Sequence, residues 1–109
     1  MTMTGLINGL DPRLLAVLDK LEESGCAIDV TSGKRTEKEN QALVDKGKAV
    51  SDSAHLTGLA ADVACQKSWD RWALVMQAWQ AGIHRIGIAK TFLHLDIDIS
   101  KPKNVIWLY

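Results

Sequence analysis

The sequence predicts an α+β fold in which a small, largely antiparallel sheet packs against about three helices. Two observations carry that prediction. Apolar residues recur at helical spacing in three segments, and between and after those segments the pattern changes to the period-two alternation of strands. The order is helix, strand, helix, strand, helix, then a run of short strands, which favours segregated helices over an alternating parallel sheet. At 109 residues the chain has the length of a single domain spanning 1–109.

The elements follow in order. Asp11-Pro12 joins a capping side chain to a ring already set to the helical φ, and Leu14, Leu15, Leu18 and Leu21 then repeat as a helix face. This predicts a helix from about Pro12 to Ser24, stopped by Gly25. In CAIDVTSG the alternation of Ile28 and Val30 with Asp29 and Thr31 predicts a strand. Thr36 followed by Glu39 is a capping box that opens a polar helix ending near Gly47, with a thin stripe of Leu43 and Val44. From Lys48 to Thr57 small polar residues without a period predict a surface loop, closed by Gly58. LAADVAC reads as a second strand. Ser68 is placed as the cap of a third helix, whose stripe Trp72, Val75, Met76 and Trp79 is assigned to the core, with Gly82 as its stop. Strands over about Arg85 to Ala89 and Phe92 to Ile97, and an edge strand in VIWLY, complete the chain.

Composition narrows the function classes. Thirteen basic and thirteen acidic residues cancel, which excludes a general positive field for nucleic acid. No apolar run reaches spanning length, so membrane insertion is not expected, and the opening MTMTGLINGL has no basic leader or small-residue cleavage site. Cys26 and Cys65 are read as small buried thiols rather than as a disulfide or a metal motif.

The chemistry-bearing residues centre on the histidines His55, His84 and His94. Neutral imidazole and carboxylate are the donors of hydrolytic zinc sites. His55 and Asp62 would stand about 23 Å apart if the chain between them were extended, so they meet only where it turns back, and Gly58 permits that turn. Asp62 lies among Ala60, Ala61, Val63 and Ala64, where a charge is costly without a cationic partner, and a metal is one such partner. In FLHLDID the parity puts Leu93, Leu95 and Ile97 on one face and Phe92, His94, Asp96 and Asp98 on the other. One face is core; the other holds His94 as a third ligand, with Asp96 about 6.6 Å along it, near enough to act as base or to orient the histidine. Each residue also has an ordinary explanation: a loop histidine, a hydrogen-bonded strand aspartate, a solvated sheet face.

Three segments in one order, SGKRT at Ser32 to Thr36, SAHLTGLAAD at Ser53 to Asp62 and FLHLD at Phe92 to Asp96, resemble the zinc D-Ala-D-Ala carboxypeptidase family, which also includes vancomycin-resistance D,D-dipeptidases and phage endolysin peptidases. The resemblance implies a zinc metallopeptidase of peptidoglycan stem peptides, with Zn2+ held by His55, Asp62 and His94 on one sheet face. It implies that Arg35 binds or polarises a substrate carboxylate or carbonyl, and that Ser53 helps hold the substrate or the metal loop. Where several branches place an acid three residues, or a histidine two residues, before the last zinc histidine, this chain has Thr91 and Phe92. It resembles the H-x-D branch instead, which makes Asp96 the candidate base, with a role behind His94 as its alternative and His84 as an outside choice. Two rival readings are a non-catalytic peptidoglycan-binding or virion module that keeps the fold, and an interaction scaffold using Trp69, Trp72 or Trp107. A monomer is expected. The missing leader, with action on the cell wall, leads to the expectation of a phage-encoded protein made in the host cytoplasm.

Overall fold

The structure, a computed structural model, describes residues 7–109, so the first six residues of the opening MTMTGLINGL lie outside the described residues. Helix α1 (Pro12–Glu23) begins as the sequence requires. Asp11 accepts from the Arg13 amide at 2.8 Å, Pro12 occupies the first turn, and Leu14, Leu18 and Leu21 are buried. Strand β1 (Val30–Ser32) follows, with Ile28 and Val30 inward and Asp29 and Thr31 outward. Helix α2 (Glu37–Asp45) has both halves of its capping box, with Thr36 accepting from the Glu39 amide at 3.1 Å and Glu39 from the Thr36 amide at 2.9 Å.

The segment before strand β2 (Ala60–Ala64) differs from the surface loop expected there. Its second half winds into a 3-10 turn, Ala54–Thr57, and buries Ser53, Ala54 and His55. Gly58 ends that turn at φ +75, and a Cβ on it would stand 2.5 Å from the Gly9 carbonyl oxygen, so only glycine lets the two backbones meet. Their contact is fixed by the Asp11 amide donating to the Gly58 carbonyl at 2.9 Å.

Helix α3 (Ser68–Gln80) corrects two expectations. Its N-cap is Lys67, without a side-chain bond, and Ser68 is the first helical residue. Its buried face is Leu74 and Ala78, at 3% and 0% exposure, whereas Trp72 at 66% and Trp79 at 39% face outward. The helix is apolar around most of its circumference, so two stripes one residue apart compete. The one with smaller side chains wins because it lets the helix come close to α1 and the sheet. Arg71 lies on that inner face because its guanidinium has work there. It donates to the carbonyls of Cys65 at 3.0 Å, Ala89 at 2.6 Å and Lys90 at 2.7 Å, pinning the end of β2 to the following hairpin.

Strands β3 (Arg85–Ile88), β4 (Phe92–Asp96) and β5 (Val105–Leu108) complete one five-stranded sheet in the order β1-β2-β4-β3-β5. Every pairing is antiparallel except β3 with β5. One face, with Ala61, Val63, Ile86, Leu93 and Leu95, meets the leucines of α1 and the inner face of α3. Each such leucine contributes about 1.5–3 kcal/mol by leaving water. Cys26 and Cys65 are half-buried and unpaired, and burial raises the Cys65 thiol pKa. Among the described residues no helix is long and apolar enough to cross a membrane.

Candidate metal centre

The register of the sheet lines up a single row on the face opposite the core: Ser32 with Asp62, Asp62 with His94, His94 with Gly87, and Gly87 with Trp107. Directly opposed residues point to the same face, so four strand pairings carry these side chains to one place. A second row, Ala60, Asp96, Arg85 and Val105, lies beside it. His55 enters from the 3-10 turn, whose first amides are organised by Ser53, which accepts from the His55 amide at 3.2 Å.

Asp62 is the centre of the cluster. Its Oδ1 lies 3.2 Å from His55 Nε2 and 3.0 Å from His94 Nδ1, and one donor atom from each of the three residues falls within 4.8 Å of the others. The outer nitrogens of both rings are fixed. His55 Nδ1 donates to the Gly33 carbonyl at 2.7 Å, and in a neutral ring held this way Nε2 offers its lone pair toward the aspartate. His94 Nε2 lies 2.8 Å from Asp96 Oδ2, the arrangement of a carboxylate that holds an imidazole by its far side.

Lone pairs so close together repel unless a proton or a cation lies between them. A proton on His94 Nδ1 serves one of the two contacts to Asp62; a cation serves all three donors. The donor set, two imidazoles and a carboxylate, is that of three-ligand zinc sites with an open position, so the residues fit such an ion. Without one, the charges of the cluster respond to each other. Burial pushes the Asp62 carboxyl up, but its close contacts with the His55 and His94 rings outweigh it and the pKa falls to about 2. Burial opposes charging of His94, yet its bonds to Asp62 and Asp96 raise its pKa.

His55 and His94 of the cluster line a pocket of about 380 Å3 whose walls also include Arg35, Ser53, Arg85, Trp107 and Tyr109. Arg35 NH1 donates to Asn40 Oδ1 at 3.1 Å and Ser53 Oγ at 3.4 Å, while NH2 lies 3.7 Å from Asp62 Oδ2. Arg35 and Ser53 therefore stand beside His55, Asp62 and His94. Asp96 lies behind His94, with Oδ2 on the imidazole and Oδ1 accepting from Arg85 Nε at 2.7 Å and the Asp98 amide at 3.2 Å. His84 stacks on Trp79, with ring centroids 4.8 Å apart, and is not a wall of the pocket. Thr91 is exposed, and Phe92 stacks on Tyr109.

Sequence reasoning missed Asn40, Arg85, Gly87 and Tyr109, and considered Trp107 only for a partner surface. For the strand residues the signal was present, since the parity that separates His94 from Leu93 also places Arg85 and Gly87 opposite Ile86 and Ile88 in RIGI. Gly87 matters through absence of a side chain. A Cβ there would stand 2.6 Å from Trp107 Nε1 and 2.8 Å from Tyr109 Cε2, so glycine is what admits the aromatic wall beside His94. At the rim, Lys101 pairs with Asp52 at 3.3 Å, joining the segment after β4 to the one before the 3-10 turn.

The fold is similar to that of the Serratia marcescens L-Ala D-Glu endopeptidase ChiX, with a TM-score of 0.66 and 22% identity over 88% of this chain and 86% of that one. No match is found among curated proteins. The profile of the Peptidase M15 family matches residues 2–98, a stretch that holds all three members of the His55, Asp62 and His94 cluster, and the chain belongs to that family.

Proposed function

We propose that the chain is a zinc-dependent peptidase that hydrolyses peptidoglycan stem peptides. The observation that carries this reading is the convergence of three potential ligand atoms, His55 Nε2, Asp62 Oδ1 and His94 Nδ1, within 4.8 Å of one another beside an open pocket. Family membership and the activity of the ChiX neighbour, an L-Ala D-Glu endopeptidase, support the choice of substrate class. A zinc ion held there supplies Lewis-acid activation of water and of the scissile carbonyl.

The chain's own residues supply the rest. Asp96 keeps the His94 ring turned so that Nδ1 faces Asp62, and the Gly33 carbonyl does the same for His55. Arg35, held by Asn40 and Ser53, offers a guanidinium to a substrate carboxylate or to developing oxyanion charge. Trp107 and Tyr109 form an apolar side that shields the reacting bond from bulk water.

A second reading, a stem-peptide-binding module that holds metal without hydrolysing, is favoured by one observation: both oxygens of Asp96, the acid on the pocket wall, are already bonded. One experiment separates the two. The purified chain is stripped with chelator, reloaded with zinc and incubated with muropeptides, with His55→Ala as control, and products are identified by mass spectrometry. Zinc-dependent cleavage absent from the control supports the peptidase, with free D-Ala marking a carboxypeptidase and internal cuts an endopeptidase. Stoichiometric zinc without any cleavage favours the binding module. A chain that takes up no zinc sinks both readings.

A further inference from the structure

We propose that Arg85 is a positioning residue of the metal centre, acting through Asp96 on His94 and tying the aromatic wall to the same centre. The inference rests on the zinc reading above and deepens it. Arg85 faces Asp96 across the β3–β4 register and is largely buried. Its Nε donates to Asp96 Oδ1 at 2.7 Å, its NH1 donates to the Pro102 carbonyl at 2.6 Å, and its guanidinium carbon lies 5.3 Å from the centre of the Trp107 ring. One planar fork thus joins β4, the segment after it, and β5.

The consequence for His94 follows from counting acceptors. Arg85 and the Asp98 amide occupy Oδ1 of Asp96, so the carboxylate cannot turn and Oδ2 alone is left for His94 Nε2. His94 is then held with Nε2 toward Asp96 and Nδ1 toward Asp62. Without Arg85, Oδ1 of Asp96 keeps only the longer bond from the Asp98 amide, so the carboxylate is held less firmly and the imidazole loses part of its fixed direction. A lysine restores the charge beside Asp96 but not the fork, because an ammonium cannot bond Asp96 and Pro102 in one plane while lying over Trp107.

The test compares the full-length chain with Arg85→Gln, Arg85→Lys, Asp96→Asn and the double variant Arg85→Gln/Asp96→Asn. Zinc affinity is read by chelator competition, ligand geometry by the visible spectrum of the cobalt-substituted protein, and metal-free folding by thermal melting. Arg85→Gln is expected to weaken zinc binding ~10–100-fold and to shift the cobalt bands, with Arg85→Lys recovering part of the affinity. In the Asp96→Asn background, Arg85→Gln is expected to add little further loss, because the two act along one path. If Arg85→Gln fails to fold, Arg85→Lys carries the comparison, its cobalt spectrum differing from that of the unaltered chain. Unchanged affinity and spectrum in the variants, or affinity losses that add fully in the double variant, overturn the proposal while leaving the zinc reading intact. An unaltered chain that binds no zinc overturns both.

Discussion

The two faces of strand β4 are almost equally dry and are held by different physics. Leu93 and Leu95 on one side and His94 and Asp96 on the other are all buried. The leucines need only shape and volume from their neighbours. The polar pair needs a named partner for every donor and acceptor, and finds it in Asp62, Arg85 and the Asp98 amide. Burial therefore does not separate core from site in this sheet; directed bonding does.

Breaking each face in turn separates the two. Replacing Asp62 by Asn should remove metal binding and lower peptide hydrolysis roughly a thousandfold, equivalent to several kcal/mol of lost transition-state stabilisation, while circular dichroism remains that of the folded chain. Leu95→Ala should do the opposite, costing about 2–5 kcal/mol in urea unfolding by leaving a cavity, with zinc affinity of the folded fraction little changed. An equal loss of metal in both variants would erase the distinction between the faces.

Gly87→Ala tests the border between them. Its methyl group would collide with Trp107 and Tyr109, so a cost of about 1–3 kcal/mol and a raised KM are expected, with zinc retained.

The polar face should also show itself in the pH dependence of the metal-free protein. Asp62 has a folded pKa of about 2 against an ordinary 3.8, so its stabilisation is complete above the ordinary value and is lost as pH falls through the lower one. That amounts to about 2 kcal/mol. His94 has the opposite sign: its pKa is raised from 6.5, so its stabilisation is present below 6.5 and fades as pH rises through the raised value. Urea midpoints should therefore fall on both sides of an optimum, and Asp62→Asn should flatten the acid limb, leaving the part carried by other lowered carboxylates such as Asp98. The smallest change is expected on α3, where Trp72→Ala should shift stability by no more than about 0.5 kcal/mol in thermal melts, because the ring points to solvent.

The contrast also explains what the sequence made legible. Parity in FLHLD separated the two faces of β4 without knowledge of the neighbouring strands, and caps at Asp11 and Thr36 placed two helix starts because capping is a local bond. Helix α3 was misread because its two stripes differ by one residue, and the choice between them depends on how close a distant surface approaches. The burial of His55 was hidden for a related reason. Nothing in SAHLTG states that Gly33, twenty-two positions earlier, supplies the carbonyl that holds its ring. Asn40 gave no sign in a helix of polar residues, since its partners Arg35 and Val50 meet it only in the folded chain.

The row from Ser32 to Trp107 has one more consequence, for fidelity of assembly. A one-residue slip between β2 and β4 would turn His94 into the leucine layer and present Leu93 or Leu95 in its place. Such a mispaired sheet has no third donor. An ion that binds only the correct alignment lowers the free energy of that alignment alone, so a metal held by this cluster would act as a proofreader of strand pairing, and supplying it during refolding should raise the yield of correctly registered chains.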